Sequence, residues 1–121
     1  MGHSTHHHQI NYIEFGATDI GRARRFYTGV FGWSFTDYGP DYTSFNAAQA
    51  GIDGGFRKVD PHRGGGEQAQ LVVLYSADLK ATESAIVAAG GSITVPAFEF
   101  PGGRRFHFAD GVGNILAVWS E

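Results

Sequence analysis

The sequence predicts an α+β fold of tandem βαβββ repeats, in which a cupped mixed sheet carries its helices on the outside. Three observations predict it. A short run of β-branched and aromatic residues followed by a segment with helical spacing occurs twice. The interval from Asp19 to Gly32 is the interval from Asp78 to Gly91. Between the copies lies a stretch, 58–68, that holds Pro61 and Gly64-Gly65-Gly66, and it suits neither strand nor helix. The halves are therefore expected at 9–57 and 69–119, with a Gly-rich linker at 58–68, in one domain over 9–119.

Taken in order, residues 1–8 hold His3, His6, His7 and His8 and read as an expression tag or a natural polar tail. Ile10–Phe15 is the first predicted strand. Asp19 is a fitting N-cap, because its side chain can accept from the unpaired N–H groups of a first helical turn. Ile20, Ala23, Phe26, Tyr27, Val30 and Phe31 then fall on one helical face, and Gly32 stops the helix. Strands are predicted at Trp33–Tyr38, Tyr42–Asn46 and Ile52–Arg57, with turns at Gly39-Pro40 and near Gly51. In the second half Leu71–Tyr75 is a strand, and Asp78 caps a helix through Leu79, Ala85, Ile86 and Ala89 that Gly90-Gly91 ends. Ser92–Val95, Arg104–Ala109 and Asn114–Trp119 complete the second set, with Asp110-Gly111 as a tight turn.

Composition bounds the function. Hydrophobic residues are 42% and charged residues 17%, a globular balance, and ten Phe, five Tyr and two Trp supply core material. The net charge of −3 predicts no attraction to nucleic acid. No apolar run has the length of a membrane span. The absence of cysteine excludes disulfides, thiolate metal sites and a Cys nucleophile, and it fits a cytoplasmic protein.

Ile10–Phe15, Asp19-Ile20, Phe26-Tyr27 and Phe31-Gly32-Trp33, together with the closing Gly103–Asp110 and Gly113-Asn114, resemble the vicinal-oxygen-chelate superfamily. This is the group of glyoxalase I, extradiol dioxygenases, bleomycin-binding and fosfomycin-resistance proteins. The resemblance spans residues 10 to 119. It implies a cleft in the cupped sheet, often a divalent metal held there by His and Glu, and often a homodimer. The positions of those ligands fall here on Tyr12, on the neighbourhood of Ala69 between Gln68 and Gln70, and on Ala117. A phenol and an amide are poor ligands for a catalytic divalent ion, and a methyl group is none. The expectation is therefore no metal and no cofactor.

Strand alternation assigns the remaining candidates. Ile13 and Phe15 should face the first helix, leaving Tyr12 and Glu14 toward the cleft. If Phe106 and Phe108 pack under the helices, His107 faces the cleft, and Ile115, Ala117 and Trp119 share that side. Glu14 and His107 are the candidate catalytic groups, a carboxylate for acid–base work and an imidazole for proton transfer. The competing readings are an ion pair of Glu14 with Arg104, Arg105 or a Tyr hydroxyl, and an ordinary half-buried His107. With Asp53 the same two residues make only a weak candidate metal site. Tyr12, Phe45, Arg104, Arg105 and Trp119 are the candidate ligand-binding residues: rings to stack and guanidinium groups to meet an anion. The functions these allow are metal-free small-molecule binding, a metal-independent lyase or isomerase using Glu14, His107 and Tyr12, a metal-dependent glyoxalase or dioxygenase with displaced ligands, and a partner domain using its sheet edges.

Overall fold

The computed structural model describes residues 7–60 and 70–121. Its elements are β1 (Tyr12–Ala17), α1 (Ile20–Phe31), β2 (Thr36–Asp37), β3 (Tyr42–Phe45), α2 (Ala47–Ala50), β4 (Asp53–Lys58), β5 (Val72–Tyr75), α3 (Leu79–Ala88), β6 (Ser92–Phe100), β7 (Gly103–Ala109) and β8 (Ile115–Ser120). The strands make two four-stranded sheets, ordered β1-β4-β3-β2 and β5-β8-β7-β6. Each sheet sets its first strand parallel to its fourth and runs the rest antiparallel. The α+β repeat is thus the same topology executed twice. Most of the expected linker lies outside the described residues.

Both long helices start where a carboxylate caps them. Asp19 Oδ1 accepts from Arg22 N at 3.0 Å, and Asp78 Oδ1 accepts from Ala81 N at 3.1 Å. Gly32 ends α1 at φ 74°, the left-handed conformation that a residue without Cβ enters most easily. Helix α1 ties the halves together. The Tyr27 ring lies 5.0 Å from Phe56 of the first sheet, and Phe26 lies 6.0 Å from Phe108 of the second. Ala23, Tyr27, Phe56, Ile86, Phe106, Phe108, Leu116 and Val118 are fully buried in this shared core.

A polar staple crosses the same boundary. Asp110, buried in the turn after β7, accepts from the Tyr27 hydroxyl (2.8 Å), Val112 N (2.9 Å), Asn114 N (3.0 Å) and Asn114 Nδ2 (2.9 Å). The Asn114 amide also donates to the Gly16 carbonyl in β1 at 2.8 Å. Four donors satisfy both carboxylate oxygens, which is what a buried acid requires.

Three elements differ from the expected set. The strand expected at Trp33–Tyr38 shrinks to Thr36–Asp37, because Trp33 is drawn into the core and Ser34 N donates to the Gln49 side chain. A turn of helix, α2, stands where only a turn was expected, capped by Asn46 accepting from Ala48 N. Strand β6 runs on through Pro96 to Phe100, with register shifts between Ile93 and Val95 and between Val95 and Phe98. It is an edge strand, where a missing N–H and a bulge are tolerated.

Candidate functional site

Strand alternation decides which side chains are available. In the first sheet the core side carries Phe15, Thr43, Phe45 and Phe56, and the other side carries Tyr12, Glu14, Tyr42, Ser44 and Arg57. In the second sheet Val72, Leu74, Phe106, Phe108, Leu116 and Val118 take the core side. Val73, Tyr75, Arg105, His107, Ala117 and Trp119 share the opposite, open face.

The open face of the first sheet is a cluster of phenols and charges. The Tyr12 and Tyr42 hydroxyls lie 2.5 Å apart. Gly55 makes that contact possible. A Cβ at Gly55 would sit 2.6 Å from the Tyr42 hydroxyl, so the tyrosine lies across a strand that offers no side chain. Glu14 pairs with Arg57 Nε at 3.4 Å, both side chains about half exposed. Burial, then hydrogen bonds to Tyr12 and Glu14, hold the Tyr42 hydroxyl well above the usual tyrosine range, so it stays a protonated donor. A cavity of about 460 Å³ beside Tyr12 and Tyr42 is lined also by Thr36, Tyr38, Ser44, Phe45, Asn46 and Asp53.

The open face of the second sheet carries apolar rings, the Arg105 cation and the Tyr75 hydroxyl, which donates to the Glu121 carboxylate. A cavity of about 350 Å³ is lined by Val73, Phe100, Pro101, Gly102, Arg105 and Trp119. The Trp119 ring meets Tyr75 and Phe100 edge-on, with centroids 5.1 and 6.3 Å away. His107 stands between Val95 and Ala117 on the neighbouring strands. Its Nε2 is buried and has no hydrogen-bond partner among the described residues. Burial, then the neighbouring Arg105 charge, lower the His107 pKa from the ordinary histidine value and favour the neutral ring.

The expected site residues therefore fall into separate places. Tyr12 lines the cavity of the first half, and Arg105 and Trp119 line that of the second. Glu14 belongs to the first sheet and His107 to the second. Phe45 packs 4.6 Å from Trp33 and is 5% exposed, and it also lines the cavity that Tyr12 lines. Arg104 is exposed on the side of β7 opposite Arg105. Sequence reasoning missed Tyr42, Phe98 and Phe100. The Phe98 and Phe100 alternation was the available signal, hidden by Pro96, which argues against a strand until the strand is known to be an edge.

The implied metal is tested by the donors present. At the first ligand position Tyr12 bonds to Tyr42, and at the last Ala117 offers no lone pair. The position near Ala69 lies outside the described residues. Among the described residues no three His, Cys, Asp or Glu side chains gather closely enough to hold a metal ion. These residues do not fit a divalent centre. No described helix is long and apolar enough to cross a membrane.

Residues 9–118 match the family model described as Glyoxalase/Bleomycin resistance protein/Dioxygenase superfamily. The chain is 29% identical to the anthracycline biosynthesis protein DnrV of Streptomyces peucetius, over 91% of this chain and 46% of that one. It thus spans about half the length of the curated relatives it matches. A glyoxalase-related enzyme from Fulvimarina pelagi superposes with a TM-score of 0.75 at 22% identity, covering 94% of this chain and 88% of that one. The fosfomycin resistance protein FosX from Mesorhizobium loti superposes at 0.74 and 15%, covering 94% and 92%. At these identities the two structures share the fold with this chain.

Proposed function

Since the chain belongs to the glyoxalase, bleomycin resistance protein and dioxygenase superfamily, we propose that it binds a small, largely apolar molecule on the open face of its second sheet, without a resident metal ion. The observation that carries this reading is the cavity walled by Val73, Phe100 and Trp119. A concave apolar wall with few polar groups is the usual form of a small-molecule site. Trp119 supplies a flat ring for stacking, half-buried and so already fixed in place. The poor donors at Tyr12 and Ala117 support binding without metal polarisation of the ligand.

A homodimer goes with this reading. The curated relatives are about twice as long, so a second copy would bring this chain to their size. A cytoplasmic setting follows from the cysteine-free composition as an expectation. The test uses protein freed of the His-rich residues 1–8, which would bind metal themselves. Calorimetric titration with 2-naphthamide, a neutral planar aromatic, should give saturable binding that Trp119→Ala weakens by at least about tenfold. Elemental analysis of the same protein should find far less than one metal ion per chain. Stoichiometric metal, or naphthamide binding unchanged in Trp119→Ala, rejects the proposal.

A second reading is proton transfer without metal at the first sheet, supported by the short Tyr12–Tyr42 contact beside Glu14. There Glu14 would take or give the proton and a protonated phenol would hold an oxyanion. His107, on the other sheet, would join only through a ligand or a second copy. Its test is a turnover that Glu14→Gln abolishes and Trp119→Ala leaves intact.

A further inference from the structure

Arg104 and Arg105 are adjacent in sequence, yet the fold gives them different surroundings. Arg104 is exposed at the end of β7. Arg105 is half-buried and pairs across the sheet with Phe98 on one side and Trp119 on the other. Its guanidinium carbon lies 5.3 Å from the Phe98 ring centroid and 5.6 Å from that of Phe100. Its Nε is buried with no hydrogen-bond partner among the described residues. The ion pairs among the described residues are Arg24–Asp37 and Arg57–Glu14, so no described carboxylate lies within ion-pair distance of Arg105.

Aromatic rings hold a guanidinium in place and offset part of its desolvation, but they carry no net charge. The cavity beside Arg105 therefore has apolar walls and one positive charge that has no ion-pair partner among the described residues. A neutral apolar ligand would leave that charge unmatched. A bare inorganic anion would surrender its water to Val73, Phe100 and Trp119 and gain only one partner. A flat ring system bearing a carboxylate or an ionised phenol satisfies wall and charge together, because a guanidinium makes strong paired hydrogen bonds to such oxygens. Resting on the binding reading above, we infer that the ligand class of this cavity is planar aromatic acids, with Arg105 as the residue that selects the anion.

The experiment compares 2-naphthoate with 2-naphthamide, which have the same ring system and differ in charge, by calorimetric titration of the full chain. Naphthoate should bind at least about tenfold more tightly. Arg105→Gln should remove that preference, so that the two compounds bind within about twofold of each other. Arg105→Lys should keep part of it, and Arg104→Gln should keep all of it. In the unaltered chain, added NaCl should weaken naphthoate binding and leave naphthamide binding unchanged, a readout that does not depend on how the variants fold. Equal affinity for the two compounds overturns the acid class and leaves the cavity reading standing. A preference that survives Arg105→Gln, or vanishes in Arg104→Gln, overturns the assignment to Arg105. No binding of either compound removes both this inference and the reading beneath it.

Discussion

Removing one oxygen atom from Tyr27 should destabilise the whole domain. The Tyr27 hydroxyl donates to Asp110 Oδ2 at 2.8 Å, and both residues are fully buried. Burial, the Asp110 charge and the hydrogen bond all raise the Tyr27 pKa far above its ordinary value, so the donor proton is present at any working pH. Tyr27→Phe keeps the ring, which stacks on Trp33 at 5.1 Å and lies tilted against Phe56 at 5.0 Å, so no cavity opens. What is lost is one charge-assisted hydrogen bond inside the protein, worth about 1.5–3 kcal/mol. The oxygen keeps a second donor, Asn114 Nδ2 at 2.9 Å, which places the loss near 2 kcal/mol by the same scale. For a domain of this length that is a fall in Tm on the order of 8 °C. Urea unfolding followed by far-UV circular dichroism measures it as a drop in midpoint at constant slope. Asp110→Asn should lose more, about 3–5 kcal/mol, because an amide cannot accept at both positions. Adding Tyr27→Phe to that background should then change little. A loss below about 0.5 kcal/mol in Tyr27→Phe, or full additivity of the two substitutions, would refute the staple as a coupling between the halves.

Three further outcomes follow from the same structure. Gly54→Ala should cost about 2 kcal/mol or more, since its Cβ would fall 2.2 Å from the Ile13 carbonyl and 2.5 Å from the Phe45 ring; a variant as stable as the parent in urea would contradict the packing at β1 and β4. Glu14→Gln should change stability by less than about 1 kcal/mol, because its pair with Arg57 is 3.4 Å long and both side chains are about half exposed; a larger loss would mean the carboxylate has a further buried partner. The lowered His107 pKa gives stability that is complete above the unfolded histidine value of about 6.5 and is lost as pH falls toward the folded value, because the unfolded chain takes up the proton first. Urea midpoints from pH 8 to pH 5 should therefore fall less in His107→Asn than in the parent, and parallel curves would exclude His107 as the source.

How much of the site was legible depends on which residue is asked. Asp19 and Asp78 could be read as caps because a cap needs only its own helix. The phase of β7 was readable from Phe106-His107-Phe108, since two buried rings fix one face and leave the imidazole on the other. Glu14 was recognisable as an ion-pair candidate, but its partner, Arg57, comes from β4, which alternation alone does not bring beside β1. Phe45 looked like a ligand-facing ring; its strand packs it against Trp33 while one edge of it still lines the cavity beside Tyr12. Tyr42 and Phe98 owe their positions to Gly55 and to the bulges around Pro96, which act through space rather than along the chain.

By itself the sequence determined the repeated strand–helix–strand order, the helix limits and the poverty of metal donors at Tyr12 and Ala117. Those features depend on local spacing, local capping and side-chain chemistry, all present in a linear chain. Only the tertiary structure decided that Tyr12 and Trp119 line different cavities, that Arg105 rather than Arg104 faces apolar walls, and that Asp110 joins the halves through Tyr27. The physical reason is that charge neutralisation and cavity shape are set by which strands become neighbours. That choice follows from packing both sheets around α1, and no window of the sequence contains it.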